Sequence, residues 1–329
     1  MISRLRLLFL AFGFGASTLA AQQPQFRSGV DVVQLNVAVT SRNTVVADLT
    51  ATDFEILDNG VRQEVTHISR DVLPIDVTMV IDTSASVVPW VQSALLNAAT
   101  KIRESLRPVD RLSLVTFNQR IYERIALQPV TEAGPFVLGP PSGQTSLNDS
   151  LATVLTRRPV VDRRQLAIVF SDGRDTTSLL SNADVLMMAR RSQTATFFVV
   201  DAQSYSRPIV KWNTASDGLP VPSMSFAKMD EPGLITFVQQ IAAATGGLVQ
   251  LASLSNITIR MNGQVVQRPR TEMLNEPFMK ALDDFRTSYA VSYVLTGVPR
   301  PGWHEVSVRV KRPGGSSYQV RTRNGYTGG

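Results

Sequence analysis

The stretch IDVTMVIDTSAS, residues 75–86, decides the fold. Its first part is mostly apolar, as is typical of a central strand in a parallel sheet that is covered on both faces. The run ends in Asp82, and hydroxyl side chains follow at Thr83, Ser84 and Ser86. Such a segment is either a polar loop that caps the next helix or one wall of a metal site. The stretch alone is compatible with both.

Strand and helix patterns alternate after Pro74, and this alternation predicts an α/β domain. The expected helices are 89–106, 146–157, about 180–191 and 234–245, and the expected strands after 75–82 are 110–118, 120–130, 164–173, 195–202 and 248–252. We expect a Rossmann-like parallel sheet with helices on both faces. In such folds, sites form outside the carboxyl ends of the strands, where Asp82 and Asp172 lie.

The two ends of the chain have β patterns with one apolar face. Residues 30–70 contain an alternating strand and a hairpin with Asn59-Gly60 at its turn. After residue 252, a second hairpin (256–267), a short helix and the strands SYAVSYVL, HEVSVRV and SSYQVRTR follow. Because each set of strands needs a partner sheet, we predict one discontinuous β-sandwich built from both ends.

The first residues have the layout of a secretory signal peptide. Arg4 and Arg6 precede a short apolar run, and small residues follow up to Ala20 and Ala21, where cleavage is expected. An uncleaved membrane anchor is the alternative. The chain has no cysteine, which excludes disulfides and thiol catalysis, and it has two histidines. Together these features favour an exported protein that is periplasmic, in the cell envelope or secreted.

The formal net charge of +6 is mildly basic, and the arginines are scattered rather than clustered with aromatic residues. This distribution does not indicate a nucleic-acid partner. After cleavage of the signal peptide, no integral membrane span is expected.

Three separate loops place hard oxygen ligands at one edge of the expected sheet. Asp82, Ser84 and Ser86 follow the first strand, Thr145 precedes a helix, and Asp172 ends another buried strand. Carboxylate and hydroxyl oxygens suit Mg²⁺, Ca²⁺ or Mn²⁺. Without a cation the two carboxylates would repel each other. A role in helix capping could explain each loop alone, but not why three loops carry such ligands at the same edge. The metal site is therefore favoured over the capping loop.

These residues resemble the metal-ion-dependent adhesion site (MIDAS) of the von Willebrand factor type A (VWA) domain, Asp-x-Ser-x-Ser with a distant Thr and Asp. The resemblance covers about 74–252. The wider chain is similar to a bacterial, exported VWA-related family, through LTATDFEILDNGVRQEV before this region and YAVSYVLTG and GWHEVSVRVKR after it. The expected organisation is therefore a signal peptide at 1–21, sandwich strands at 27–72, the VWA domain at 74–252, and a β-rich region at 253–329 that completes the sandwich.

The resemblance also implies the roles of the site residues. The hydroxyls of Ser84, Ser86 and Thr145 would bind the cation, most simply Mg²⁺, with Mn²⁺ or Ca²⁺ as alternatives. Asp82 and Asp172 would act through water or through hydrogen bonds to those ligands. An open position on the ion would then take Asp or Glu from a protein partner, so the implied function is binding and not catalysis.

Other readings stay open at this point. Asp175 is either an outer acid of the site or a turn residue, and Asn148 and Asp149 are expected in the first turn of a helix. Two segments are longer than a minimal VWA domain needs. They are 203–232, expected to be an irregular loop at the rim near Asp82, and 255–271.

The alternative functions are a structural envelope protein whose metal only stabilises the fold, or a metal-dependent hydrolase that uses the two aspartates.

Overall fold

The computed structural model describes residues 32–70, 73–160, 162–171, 175–201, 206–214, 220–228, 232–252, 254, 257–261, 264–268, 272–312 and 318–328. The described residues belong to one compact unit. The expected signal peptide and the side chain of Asp172 lie outside this part of the chain.

The described residues form strands, five α-helices and one short 3₁₀-helix, Ala51–Asp53. The strands are β1 (Val32–Ser41), β2 (Thr44–Val45), β3 (Phe54–Asp58), β4 (Val61–Gln63), β5 (Val65–Arg70), β6 (Ile75–Asp82), β7 (Arg111–Phe117), β8 (Ile121–Pro129), β9 (Arg164–Ser171), β10 (Ala195–Asp201), β11 (Ser206–Thr214), β12 (Pro220–Lys228), β13 (Val249–Ala252), β14 (Ile257–Met261), β15 (Gln264–Arg268), β16 (Tyr289–Val294), β17 (Gly302–Val310), β18 (Tyr318–Arg321) and β19 (Gly325–Gly328). The helices are α1 (Pro89–Ser105), α2 (Leu147–Leu155), α3 (Asn182–Arg191), α4 (Pro232–Thr245) and α5 (Asn275–Arg286).

A six-stranded sheet has the order β13-β10-β9-β6-β7-β8. Strand pairs along it are parallel, except that the edge strand β8 runs antiparallel to β7. Every residue of β6 and β9 is buried, which explains their nearly continuous apolar sequences. The chain winds outward in opposite directions from β6, so the strand order reverses between β6 and β9. In doubly wound sheets this reversal is where ligands bind.

Helices cover both faces of this sheet. One apolar cluster joins α1 and α5 to one face, and a second joins α2, α3 and α4 to the other. The first cluster includes Phe278, Leu282 and Phe285 of α5. This helix follows residue 252 in sequence, yet it packs on the six-stranded sheet rather than within the sheets formed by the chain ends.

The chain ends form two antiparallel sheets. One has the order β18-β1-β16-β5, with β2 also paired to β1, and the other has the order β19-β17-β3-β4. Side chains from both sheets, among them Leu35, Ile56 and Val291, share one apolar cluster. The turn between β3 and β4 is Asn59-Gly60, with φ angles of 45° and 80°. Both angles are in the left-handed region that a tight hairpin turn requires.

The segment 203–232 was expected to be irregular, and this prediction was wrong. Most of it forms the hairpin β11–β12, with Ser206 paired to Lys228 and Thr214 to Pro220. Pro208, Pro220 and Pro222 lie on this two-stranded ribbon. A residue of an edge strand can point its backbone N away from the ladder, so these prolines did not prevent strand formation. The hairpin expected at 256–267 is present as β14–β15.

Within the described residues, no helix is long and apolar enough to cross a membrane.

Candidate metal centre

Asp82 ends β6 and is completely buried. Its Oδ1 accepts a hydrogen bond of 2.8 Å from the backbone N–H of Ser84. Its Oδ2 accepts one of 2.8 Å from the hydroxyl of Ser171, the last residue of β9. The carboxylate therefore holds the first turn of its own loop and the end of the neighbouring strand, on the two sides of the point where the strand order reverses.

The hydroxyls of Ser84 and Ser86 lie together. Their Oγ atoms are 2.9 Å apart, with Ser84 1% exposed and Ser86 open to solvent. Neither serine caps the following helix, because α1 has Val88 as its N-cap, has no side-chain capping bond, and starts at Pro89. This overturns the alternative in which the serines only cap a helix, since the N-cap position is occupied by Val88 and no side chain accepts from the N–H groups of the first turn.

The loop that carries Thr145 lies against the loop that follows Asp82. The backbone N–H of Ala85 donates to the carbonyl of Gly143 (3.0 Å), and the N–H of Ser142 donates to the carbonyl of Thr83 (2.9 Å). Thr145 itself is 5% exposed. Backbone hydrogen bonds thus bring the loops of four predicted ligands, Ser84, Ser86, Thr145 and Asp82, into one cluster.

A third segment, residues 175–182, is bonded to Thr145 and to the start of α2. The N–H of Thr145 donates to Thr176 Oγ1, and the N–H of Thr176 donates to the carbonyl of Thr145, both at 2.9 Å. Asp149, in the first turn of α2, accepts from the backbone N–H groups of Leu179 and Leu180, each at 3.0 Å. These bonds fix the position of Thr145 relative to the chain that follows β9.

Asp175 acts as a cap for α2 from another loop. Its Oδ2 accepts from the N–H of Asn148 (2.8 Å) and from the hydroxyl of Ser178, and its Oδ1 accepts from the N–H of Ser178. A carboxylate at a helix N-terminus satisfies a free N–H and interacts favourably with the helix dipole. Of the two readings of Asp175, these contacts support the structural one, a residue that fixes a turn and a helix end.

Sequence reasoning did not single out Ser171, the hydroxyl residue that contacts Asp82. A serine at the end of the fully buried β9, directly before the predicted ligand Asp172, was the signal that could have identified it. Thr83 was also not assigned a role. Its N–H and its hydroxyl both donate to the carbonyl of Phe117, at 2.7 and 3.0 Å, which ties the loop to the end of β7.

The donor set fits a hard divalent cation. Ligands about 2.1 Å from an octahedral ion lie about 3.0 Å apart at neighbouring positions, and the Oγ atoms of Ser84 and Ser86 are separated by 2.9 Å. Within the described residues, no group of three or more His, Cys, Asp or Glu side chains could hold a metal. A centre in these loops would therefore depend on hydroxyl ligands, with carboxylates beside them.

Both histidines lie on strands of the antiparallel sheets. His304 is buried in β17, where its Nδ1 is 2.7 Å from Asp58 Oδ1 and its Nε2 is 2.9 Å from the carbonyl of Arg300. His67 lies on β5 and is exposed. His304 is thus engaged within the cluster of antiparallel strands and does not contribute to the loops after β6 and β9.

The sequence and the fold were compared with known proteins. No family model matches the chain, and no curated protein matches it. Solved structures do match. A von Willebrand factor type A structure from Catenulispora acidiphila is 12% identical, with 91% of this chain and 75% of that chain covered and a TM-score of 0.41.

Two further matches have similar values. An aerotolerance-related membrane protein from Bacteroides fragilis is 11% identical, with 64% of this chain and 98% of that chain covered and a TM-score of 0.39. Proximal thread matrix protein 1 from the mussel byssus, in a structure with a zinc-occupied MIDAS motif, is 13% identical, with 70% and 50% covered and a TM-score of 0.43. The chain is similar to VWA-type proteins.

Proposed function

We propose that the protein is a VWA-type binding protein that uses a divalent cation to hold an acidic group of a protein partner. One observation carries this proposal. The hydroxyls of Ser84 and Ser86 are 2.9 Å apart beside the buried carboxylate of Asp82, at the point where the strand order of the sheet reverses. A helix-capping role does not account for this pair, because α1 has no side-chain cap.

The cation would be held mainly by neutral ligands. Ser84, Ser86 and Thr145 would offer hydroxyl oxygens, and Asp82 and Asp172 would orient them or act through water. When bound, the cation supplies positive charge and a coordination position that a carboxylate can occupy. In this proposal Asp82 keeps its two hydrogen bonds, to Ser84 and Ser171, and positions the ligands.

Mg²⁺ is the cation that this donor set favours, with Mn²⁺ as a close substitute. Both prefer hard oxygen ligands, and Mg²⁺ needs an octahedral shell of small radius that usually retains water. Ca²⁺ takes six to eight oxygen ligands at longer distances, about 2.3–2.6 Å, and fits a close hydroxyl pair less well.

The acidic partner follows from charge. Neutral hydroxyl ligands leave most of the charge of the cation uncompensated, and a carboxylate from outside is the ligand that compensates it best in a protein environment. A hydrolase would also need a general base near the cation. Both oxygens of Asp82 are engaged by Ser84 and Ser171, so this carboxylate is poorly suited to accept a proton.

Export is part of the proposal. Residues 1–21 would be a cleaved signal peptide, and the mature protein would lie in the periplasm or cell envelope or be secreted. The unit at 74–252 would carry the site, with α5 from the region 253–329 packed on its sheet. Mass spectrometry of the protein recovered from an exporting host would test this: a mature N-terminus near residue 21 or 22 is expected, and an intact Met1 would contradict cleavage.

A metal titration tests the site itself. Unfolding of the mature chain is followed with Mg²⁺, Mn²⁺ or Ca²⁺ added after removal of metal by a chelator. A ligand at 100 times its Kd raises the free energy of unfolding by about 2.7 kcal/mol. We expect Mg²⁺ and Mn²⁺ to raise the melting temperature and Ser84→Ala combined with Ser86→Ala to abolish this response. An unchanged melting temperature in the unaltered protein would reject the metal centre.

A second experiment separates partner binding from a purely structural role of the metal. Peptides that contain a single Glu are presented with Mg²⁺ or with chelator, and matched peptides carry Gln. Binding that needs both Mg²⁺ and Glu supports the proposal. If Mg²⁺ stabilises the protein and binding of the Glu and Gln peptides is equal, the cation has a structural role only.

A further inference from the structure

A groove of about 510 Å³ opens where the C-terminal end of α2 meets the edge strand β8. Its aliphatic lining includes Val115, Ile121, Leu127 and Val160. Ile121 and Val160 are 36% and 40% exposed, so the fold leaves part of this apolar surface in contact with water. The volume lies within the range of about 300–1,000 Å³ that is usual for small-molecule sites.

Arg157 lies two residues beyond the end of α2 and lines the groove, and most of its side chain is buried. Its side chain is 21% exposed. Nη1 donates to the hydroxyl of Thr78 on β6 (2.9 Å), and Nη2 donates to the hydroxyl of Ser113 on β7 (3.1 Å). Burial lowers the pKa of Arg157. The two hydroxyls fix the guanidinium in place but bring no negative charge to balance it.

The nearby carboxylates compensate Arg157 only in part. Glu123 Oε1 is 3.6 Å from Nη2, beyond normal hydrogen-bond distance, and its side chain is 55% exposed. Asp76 on β6 is already paired with Arg111 and Arg163. The groove therefore combines aliphatic walls with one fixed, partly buried cation whose own counter-ion is weakly held.

We propose that this groove binds a small amphiphilic monocarboxylate, with its carboxylate on the Arg157 guanidinium and its alkyl chain along the aliphatic walls. The carboxylate matches the charge and the forked geometry of the guanidinium. The ligand carboxylate would replace the exposed Glu123, which lies 3.6 Å from the guanidinium, as the counter-ion of Arg157. None of the residues that line the groove belongs to the loop that follows Asp82, and the site does not depend on a bound cation there.

Isothermal titration calorimetry with decanoate, decanol and decyltrimethylammonium tests this chemistry. Decanoate and decyltrimethylammonium are used below their micelle concentrations and decanol below its solubility limit, and chelator is present so that the metal centre has no part in the result. We expect decanoate to bind and decanol to bind at least about tenfold more weakly, since decanol lacks the charge-assisted hydrogen bonds that a carboxylate forms with a guanidinium. The cationic decyltrimethylammonium should not bind. Equal binding of decanol and decanoate would overturn the proposal.

Two variants with opposite expected effects locate the site. Arg157→Met keeps an unbranched side chain but removes the charge, and we expect it to weaken decanoate binding at least about tenfold. Glu123→Gln removes the competing carboxylate, and we expect tighter binding. Arg309→Met, on the exposed side of β17, is the matched control and leaves affinity unchanged. Tighter or equal binding by Arg157→Met would overturn the assignment.

Loss of folding must be separated from loss of the site. Arg157→Lys keeps the positive charge, so it should bind decanoate more tightly than Arg157→Met at similar melting temperature. Methyl NMR should show shifts at Val115, Leu127 and Val160 on addition of decanoate. If a peptide with an apolar C-terminal residue binds and decanoate does not, the groove is a peptide site and the proposal is wrong.

Discussion

The carboxylate of Asp82 accepts a hydrogen bond of 2.8 Å from the hydroxyl of Ser171. This bond joins the last residue of β6 to the last residue of β9, the two neighbouring strands between which the strand order reverses. Since the other oxygen of the same carboxylate holds the N–H of Ser84, one buried group fixes both sides of the candidate metal centre. Its charge and its hydrogen bonds can be tested separately.

Asp82→Asn should remove the charge and keep the fold. The amide oxygen can still accept from the N–H of Ser84, and the amide NH₂ can donate to Ser171 Oγ. We expect affinity for Mg²⁺ or Mn²⁺ to fall by about 10–100-fold, as for other residues that orient metal ligands. The melting temperature in chelator should change little. Isothermal titration calorimetry and thermal unfolding measure the two quantities.

The control for this variant is Ser171→Ala, which keeps the carboxylate and removes one of its hydrogen bonds. It should lower cation affinity less than Asp82→Asn does. If Asp82→Asn binds the cation as tightly as the unaltered protein, then Asp82 does not belong to the centre.

Gly143→Ala should destabilise the loop that carries Thr145. Gly143 has a φ of 74°, and an added Cβ would lie 1.4 Å from Gln119 Oε1. A residue other than glycine held in the left-handed region costs about 1–3 kcal/mol. We expect the free energy of unfolding in urea to fall by this amount or more. Because the carbonyl of Gly143 holds the N–H of Ala85, cation affinity should fall as well.

Two further variants divide this cost. Gln119→Ala combined with Gly143→Ala removes the clash and leaves the backbone strain, so it should recover only part of the lost stability. Gly134→Ala is the matched control, since an added Cβ there has no atom within 4 Å and the φ angle is not in the left-handed region. A similar loss in Gly134→Ala and Gly143→Ala would mean that the loop geometry has no special role.

Much of the central fold was visible in the sequence because burial on both faces leaves a strong pattern. The apolar run of β6 predicted a buried strand, and the structure has it at Ile75–Asp82. The Asn59-Gly60 turn was equally clear, since few residue pairs adopt two positive φ angles readily. The spacing of Ser84 and Ser86 predicted that their side chains lie close together. The sequence could not show that α1 has no side-chain cap, which only the structure reveals.

Features that depend on partners far away in sequence were not predictable. Thr78 interrupts the apolar run of β6, but nothing in the sequence indicated that its hydroxyl accepts a hydrogen bond from Arg157, 79 residues later. The direction of β8 relative to β7 was also hidden, because alternation shows that a strand exists and not which way its neighbour runs. The ribbon β11–β12 was missed because its prolines favour a loop when no pairing is known.

Asp175→Ala should lower stability without a specific effect on cation binding. It removes the acceptor for the N–H groups of Asn148 and Ser178, and loss of a helix cap costs about 0.5–2 kcal/mol. We expect urea unfolding to show this loss equally with chelator and with saturating Mg²⁺. A loss that appears only with Mg²⁺ would instead make Asp175 an outer acid of the metal centre.

A buried cluster around Asp58 predicts sensitivity to alkaline pH. Asp58 Oδ2 accepts from the hydroxyls of Tyr293 (2.7 Å) and Tyr326 (2.9 Å), and Asp58 Oδ1 lies 2.7 Å from His304 Nδ1. Burial raises the pKa of Tyr293 and of Tyr326, and the hydrogen bond to Asp58 raises both further. In the folded protein these two phenols therefore stay protonated above the pH at which a free tyrosine ionises.

This difference fixes the sign of the pH effect. The pKa of tyrosine in the unfolded chain is about 10, and a raised pKa in the folded state contributes stability that is complete below pH 10 and is lost as the pH rises above it. Each such tyrosine should lower the free energy of unfolding by about 1.4 kcal/mol per pH unit in that range. Tyr293→Phe should make the decline between pH 10 and 11 shallower, and the matched control is Tyr122→Phe, on β8 and outside the cluster. Urea unfolding at each pH measures the slope, and equal slopes in the two variants would show that Tyr293 ionises as readily in the folded protein as in the unfolded chain.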